Sequence, residues 1–165
     1  MFGGAQSGTR CGARAASDGD KRREYAFAWY PLVTLACNAR PVAVPSNLYG
    51  HDLAAMAEAV TERTRVIFVA NPNNPTGANY EPAMLRELLQ IARENNLIVF
   101  ADELYDKILY DGEEHTSIAS MADDLLFITF NGLSKNYRAA GFRSGWSVIS
   151  SAKHRAASRT AGAGM

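Results

Sequence analysis

Cysteine is scarce: Cys11 and Cys37 are the only two in 165 residues. They can form one bridge at most, which excludes a disulfide framework and fits a reducing cytoplasm. Neither sign of charge is in surplus, with 17 Lys+Arg set against 17 Asp+Glu. A protein that grips nucleic acid by neutralising phosphates needs a net basic face, so no nucleic-acid partner is expected. Long apolar runs are missing as well. Stretches such as residues 97–101 and 125–130 are strand-sized, far below the roughly 18 residues of a membrane helix, so no membrane partner is expected either. His51, His115 and His154 have no partners at metal-ligand spacing, and no metal site is indicated. The first residues lack the apolar core of a secretory signal.

What is present suffices for one globular core: 47% of residues are hydrophobic and 21% charged, in a chain of single-domain length. Residues 1–24 and 151–165 are Gly-, Ala-, Ser- and Arg-rich without a hydrophobic period and are expected to be disordered tails. Between them, residues 30–39 suggest a helix and 41–45 a short extended run. Asp52 is a plausible N-cap for a helix over 53–60, with Leu53, Met56, Ala57 and Val60 on one face. Residues 65–70 (RVIFVA), 97–101 (LIVFA) and 125–130 (LLFITF) read as buried strands, with 142–149 as a fourth. Pro82 opens a helix in which Met84, Leu85, Leu88, Leu89 and Ala92 recur at helical spacing, and Asn95-Asn96 ends it. Strands apolar on both faces, separated by amphipathic helices, imply an α/β fold with a mostly parallel central sheet flanked by helices.

In such a sheet, ligands bind beyond the carboxyl ends of the strands, so the residues just past each strand are the informative ones. After RVIFVA comes NPNNPTG (71–77). After LIVFA come Asp102, Glu103, Leu104 and Tyr105. After LLFITF come Asn131, Gly132, Leu133, Ser134 and Lys135, then Gly141, Phe142 and Arg143. NPNNPTG, ADELY and NGLSKNYRAAGFRSGW resemble the signatures of class I/II aminotransferases, fold-type-I enzymes that use pyridoxal 5′-phosphate. The resemblance covers roughly residues 30–149, with the motifs in the family's order. Residues 30–45 and 51–77 look like histidinol-phosphate aminotransferases, whereas residues 97–146 look like bacterial alanine (glutamate–pyruvate) aminotransferases.

The resemblance implies a role for each motif residue. Lys135 matches the lysine that attaches to the cofactor's aldehyde and carries a proton between substrate carbons. Asp102 matches the carboxylate that keeps the pyridine nitrogen protonated; the same position also suits an ordinary turn or helix cap. Asn74 and Tyr105 match the pair that hydrogen-bonds the ring's phenolic oxygen. In relatives the bond from Asn74 to Pro75 is expected to be cis, which an X–Pro bond permits. Arg143 matches the phosphate arginine, whose fork of N–H groups suits phosphate geometry, and Ser134 is a further donor. Tyr30 lies in the region where the family stacks an aromatic on the ring, and can be read either as that aromatic or as its neighbour in a shortened loop. Glu103 has no motif-based role and is expected to be structural.

As a whole, the resemblance implies transamination between an amino acid and a 2-oxo acid, of alanine/glutamate type, by a homodimer. A pyridoxal-phosphate lyase of the same fold and a catalytically inactive segment or interaction module are the alternatives. Residues 25–150 correspond to part of the family's large domain. Within these 165 residues no match is expected for the family's N-terminal arm, Gly-rich phosphate loop or C-terminal small domain, and Arg155 and Arg159 stand too near the core motif to match the arginine that grips the substrate carboxylate. Impaired turnover is therefore the expectation.

Overall fold

The computed structural model describes residues 14–18, 28–47 and 50–151. In chain order the elements are β1 (Arg14–Asp18), α1 (Trp29–Ala36), β2 (Arg40–Val44), the short β3 (Ser46–Asn47) and β4 (Gly50–His51), α2 (Leu53–Ala59), β5 (Thr64–Ala70), α3 (Pro82–Glu94), β6 (Ile98–Asp102), β7 (Phe127–Gly132) and β8 (Gly145–Ser150). Six strands form one sheet in the order β2-β1-β5-β6-β7-β8. All neighbours run parallel except β7 and β8, which are antiparallel. The expected α/β architecture with a mostly parallel sheet is what forms.

Period-two alternation along β5 explains why both faces of the sheet are covered. Ile67 and Val69 point into a core shared with Val99 and Ala101 of β6, Phe127 of β7, Met56 of α2, and Leu85, Leu88, Leu89 and Ala92 of α3. Phe68 and Ala70 point the other way and pack with Tyr30 and Val33 of α1. Helix α3 begins with Pro82 in its first turn and ends at Asn95, while Arg93 in its last turn makes a two-pronged bridge to Asp124, at 2.6 and 2.9 Å. In α2, the Ala55 amide donates to the Asp52 carboxylate at 2.9 Å, so Asp52 is the N-cap. Asp52→Ala should cost about 1 kcal/mol, read as a lower urea midpoint.

The structure corrects several expectations. Residues 14–18 do not belong to a disordered tail: they form β1, a central strand paired to β2 on one side and β5 on the other. The run RAASD carries no apolar period, and the strand arises from pairing on both flanks, where tertiary context overrides local preference. The remainder of residues 1–24 and residues 152–165 lie outside the described residues; Ser151 is buried. Helix α1 stops at Ala36 rather than Ala39, because Asn38 takes a left-handed φ of 56°, a conformation that Asn tolerates. Strands β6 and β7 run one and two residues further than their apolar cores, to Asp102 and Gly132. Pairing of Asp102 with Phe130 and of Asn131 with Trp146 carries them on.

Candidate active site

The carboxyl ends of β5, β6 and β7 lie side by side and deliver three short polar segments. The first, residues 71–77, is held by its own asparagines. Asn71 Oδ1 accepts the Tyr80 amide at 2.9 Å, and Asn73 Oδ1 accepts the Thr76 hydroxyl at 2.9 Å. The Gly77 amide donates to the Asn73 carbonyl at 2.8 Å. Both Asn71-Pro72 and Asn74-Pro75 are cis. Gly77 has φ +76°, which a side chain would strain. Asn74 is left half-buried at the apex, where it shares a cavity of about 220 Å³ with Tyr105, Ile108 and Tyr110.

The second segment starts at Asp102. Its Oδ1 accepts the Leu104 amide at 3.2 Å, an Asx turn that opens the turn over residues 104–107. Its Oδ2 accepts the Tyr30 hydroxyl at 2.6 Å. Asp102 thus opens a turn and also faces a cavity. That cavity, about 420 Å³, is mainly apolar, bounded by Trp29, Tyr30, Phe68, Phe100 and Phe130 with Asp102 at its polar end. The Tyr30 ring stacks on Phe68 at 5.0 Å, Phe68 meets Phe100 edge-on at 5.1 Å, and Phe100 meets Phe130 at 5.6 Å. Aromatic pairs at these distances favour such offset or T-shaped contacts.

Glu103 points to the opposite side of the chain from Asp102 and is buried. It accepts the Ser117 hydroxyl at 2.9 Å and the Ile118 amide at 3.1 Å, and His115 Nε2 lies 3.4 Å away. It anchors the loop that returns towards β7, the structural part expected of it. His115 is a packing residue beside it, and His51 packs on Tyr80 at 4.6 Å. Among the described residues there is no cluster with metal-ligand character.

The third segment leaves β7 through Gly132. A Cβ there would meet the Ser144 carbonyl at 3.1 Å and Leu104 Cδ1 at 3.2 Å, so a side chain would have to displace its neighbours by a few tenths of an ångström. Ser134, half-buried, and Lys135, exposed, sit in the turn over 134–137. Lys135 Nζ lies 5.6 Å from the centre of the Tyr105 ring, within cation–π range. Arg143 is exposed, with φ 51°, and its Nη1 donates to the Ala140 carbonyl at 3.1 Å.

Tyr105 therefore links Asn74, with which it lines one cavity, to Lys135, whose amine lies over its ring, while Asp102, three residues earlier, lines the aromatic cavity with Tyr30. Among the described residues, no hydrogen bond ties Ser134 or Arg143 to these four, or occupies the Asn74 amide or the Tyr105 hydroxyl. The link from Tyr30 to Asp102 was not visible in the sequence, where 72 residues separate the partners. The aromatic row behind it carries no motif. Its one sequence signal is that Phe68, Phe100 and Phe130 each stand near the end of an apolar strand.

Comparison with known proteins identifies the family of the chain. The family model for aminotransferase class I and II matches residues 24–164. The glutamate-pyruvate aminotransferase AlaA of Escherichia coli is 60% identical over 105 residues, which are 64% of this chain and 26% of that enzyme. Histidinol-phosphate aminotransferase 1 of Idiomarina loihiensis is 41% identical over 125 residues, 76% of this chain and 34% of that one. The solved alanine aminotransferase of Pyrococcus furiosus superposes with a TM-score of 0.80 at 33% identity, over 88% of this chain and 36% of that one. The chain belongs to the class I and II aminotransferase family, whose members use pyridoxal phosphate. It spans about a quarter to a third of the length of the curated relatives it matches.

Proposed function

We propose that this chain is the cofactor-holding part of an enzyme that moves an amino group between an amino acid and a 2-oxo acid, of the alanine/glutamate type, with pyridoxal phosphate. The observation that carries this reading is the Lys135 amine 5.6 Å over the Tyr105 ring, at the ends of adjacent strands, with Asp102 at the end of the Tyr105 strand. The names of the relatives, glutamate-pyruvate and alanine aminotransferase, support the substrate type.

When bound, pyridoxal phosphate supplies an aldehyde for covalent attachment and a ring that takes up electron density from the substrate. Lys135 is the nucleophile towards that aldehyde, and its Nζ then holds and returns a proton. Asp102 provides the negative charge that favours a protonated ring nitrogen; its oxygens already accept from Leu104 and Tyr30, which orient the carboxylate. The donor set fits the group: the Asn74 amide and the Tyr105 hydroxyl have no hydrogen bond among the described residues and line one cavity, as two donors to a phenolic oxygen should. Arg143 uses one N–H on a carbonyl and has others for a phosphate, with Ser134 as a second donor. Tyr30 contributes an aromatic surface and a hydroxyl that steadies Asp102. A homodimer in a reducing cytoplasm completes the reading. The exposed apolar side chains Phe142, Trp146, Val148 and Ile149 support contact with further protein surface. Among the described residues no helix is long and apolar enough to cross a membrane.

Mixing the chain with pyridoxal phosphate, reducing with borohydride and mapping the modified peptide tests this reading. The expected result is a single pyridoxyl label on Lys135, absent from Lys135→Ala; labels scattered over surface lysines would refute it. Transamination is separated from lyase chemistry on the same residues by the products. A transaminase converts a 2-oxo acid into an amino acid without releasing ammonia. Tyr30→Phe removes a hydrogen bond to a charged carboxylate and should cost about 1.5–3 kcal/mol of stability, measured by urea unfolding.

A further inference from the structure

We propose that Asp106 and Asn136 are positioning residues that together fix the Lys135 amine against the Tyr105 ring. The proposal rests on the reading of Lys135 and Tyr105 given above and concerns how their distance is set.

Strands β6 and β7 are adjacent and parallel, and each runs on into a four-residue turn, over 104–107 and 134–137. Tyr105 and Lys135 occupy the same place in their turns. Each turn is closed by its own backbone. The Asp106 amide donates to the Glu103 carbonyl at 3.1 Å and the Ile108 amide to the Tyr105 carbonyl at 2.8 Å. On the other side, the Arg138 amide donates to the Lys135 carbonyl and the Ala139 amide to the Leu133 carbonyl, both at 3.1 Å. These bonds shape each turn but leave the two turns free to shift relative to each other. The remaining contacts cross that gap.

Asn136 donates through Nδ2 to Asp106 Oδ1, and its Oδ1 accepts the Lys107 amide at 3.4 Å. Its Nδ2 also lies 3.5 Å from Asn131 Oδ1, at the end of β7. Both ends of one side-chain amide are thus engaged by the neighbouring turn. One residue further on, Lys107 Nζ donates to the Tyr137 hydroxyl at 2.9 Å and lies 5.1 Å from the centre of that ring. The Tyr137 hydroxyl holds the Lys107 ammonium above the ordinary lysine range, so it is charged at neutral pH. Residues 106 and 107 therefore meet 136 and 137 in register. Asp106 and Asn136 are half-buried while Lys107 and Tyr137 are exposed. The inner pair, less open to water, is the one that fixes position; an exposed contact such as the outer pair is worth little. A lysine has a flexible four-carbon stem, so the placement of its amine depends on where the turn beneath it is held.

The test uses the full chain without cofactor and tracks the Lys135 ε-methylene resonance by NMR. The resonance is assigned by its loss in Lys135→Ala, and its displacement by the Tyr105 ring is identified with Tyr105→Leu. Asn136→Ala and Asp106→Ala should each lose most of that displacement, and the double variant should lose no more than either alone, since both break the same link. Combining Asp106→Asn with Asn136→Asp exchanges donor and acceptor and should restore it. A displacement unchanged in both single variants overturns the proposal. So does a loss that the exchanged pair fails to restore, which would mark general loosening of the turns. A wild-type resonance at the position of free lysine overturns it outright. If the displacement behaves as expected but borohydride fails to fix pyridoxal phosphate on Lys135, the cofactor reading fails and the positioning stands.

Discussion

Asp102→Asn is expected to weaken equilibrium binding of pyridoxal phosphate by about 10- to 150-fold, the equivalent of about 1.5–3 kcal/mol for a hydrogen bond to a charged group. The substitution removes the charge and leaves a side chain of nearly the same size. Its carbonyl oxygen can still accept the Leu104 amide, which closes the Asx turn, and the amide can turn its remaining group towards the Tyr30 hydroxyl. The fold should therefore persist, which a thermal melt checks independently, while the pyridine nitrogen loses the negative charge that favours its protonated form. Titration of the visible absorption of bound cofactor reads the affinity. An affinity unchanged by Asp102→Asn would remove Asp102 from the proposed site.

The largest effect on stability is expected from Phe127→Ala, about 3–5 kcal/mol. Phe127 opens β7 and is fully buried. Its backbone pairs with Val99 on one side and Ser150 on the other, and its side chain fills the core shared with α3 and Ile118. Strands on both flanks hold the surrounding backbone, so the void cannot close by collapse, which is the condition for a large cavity cost. Against the 5–15 kcal/mol that typically holds a domain, urea unfolding should show the midpoint fall steeply. Leu35, at 58% exposed, provides the contrast, since Leu35→Ala should change stability by no more than about 0.5 kcal/mol.

Phe127 also marks where the sequence was informative. The strands carrying Ile67, Val99 and Phe127 were legible because a strand covered on both faces must be apolar throughout. The proposed ligand end of the sheet is read from the same runs, since Asn74, Asp102 and Lys135 follow them. Strand β1 was not legible, because its small and polar residues gain their conformation from β2 and β5. The strand ends were misplaced for the same reason, pairing having extended β6 to Asp102 and β7 to Gly132. Asp106 and Asn136 look like ordinary turn residues; they acquire meaning only once β6 and β7 lie side by side. The sequence left the role of Tyr30 open, and its hydroxyl on Asp102 depends on how α1 packs on the sheet. Arg143 was legible by motif, and its left-handed backbone and bond to Ala140 are local features that no motif encodes.

The central claim is that the ends of β5, β6 and β7 form one cofactor site. A crystal structure of the chain grown with pyridoxal phosphate tests it most directly. The expected result is density continuous from Lys135 Nζ to the cofactor, with the ring nitrogen against Asp102 and the phenolic oxygen between Asn74 and Tyr105. A cofactor bound elsewhere, or attached to another lysine with Asp102 still facing only Tyr30 and Leu104, would contradict it.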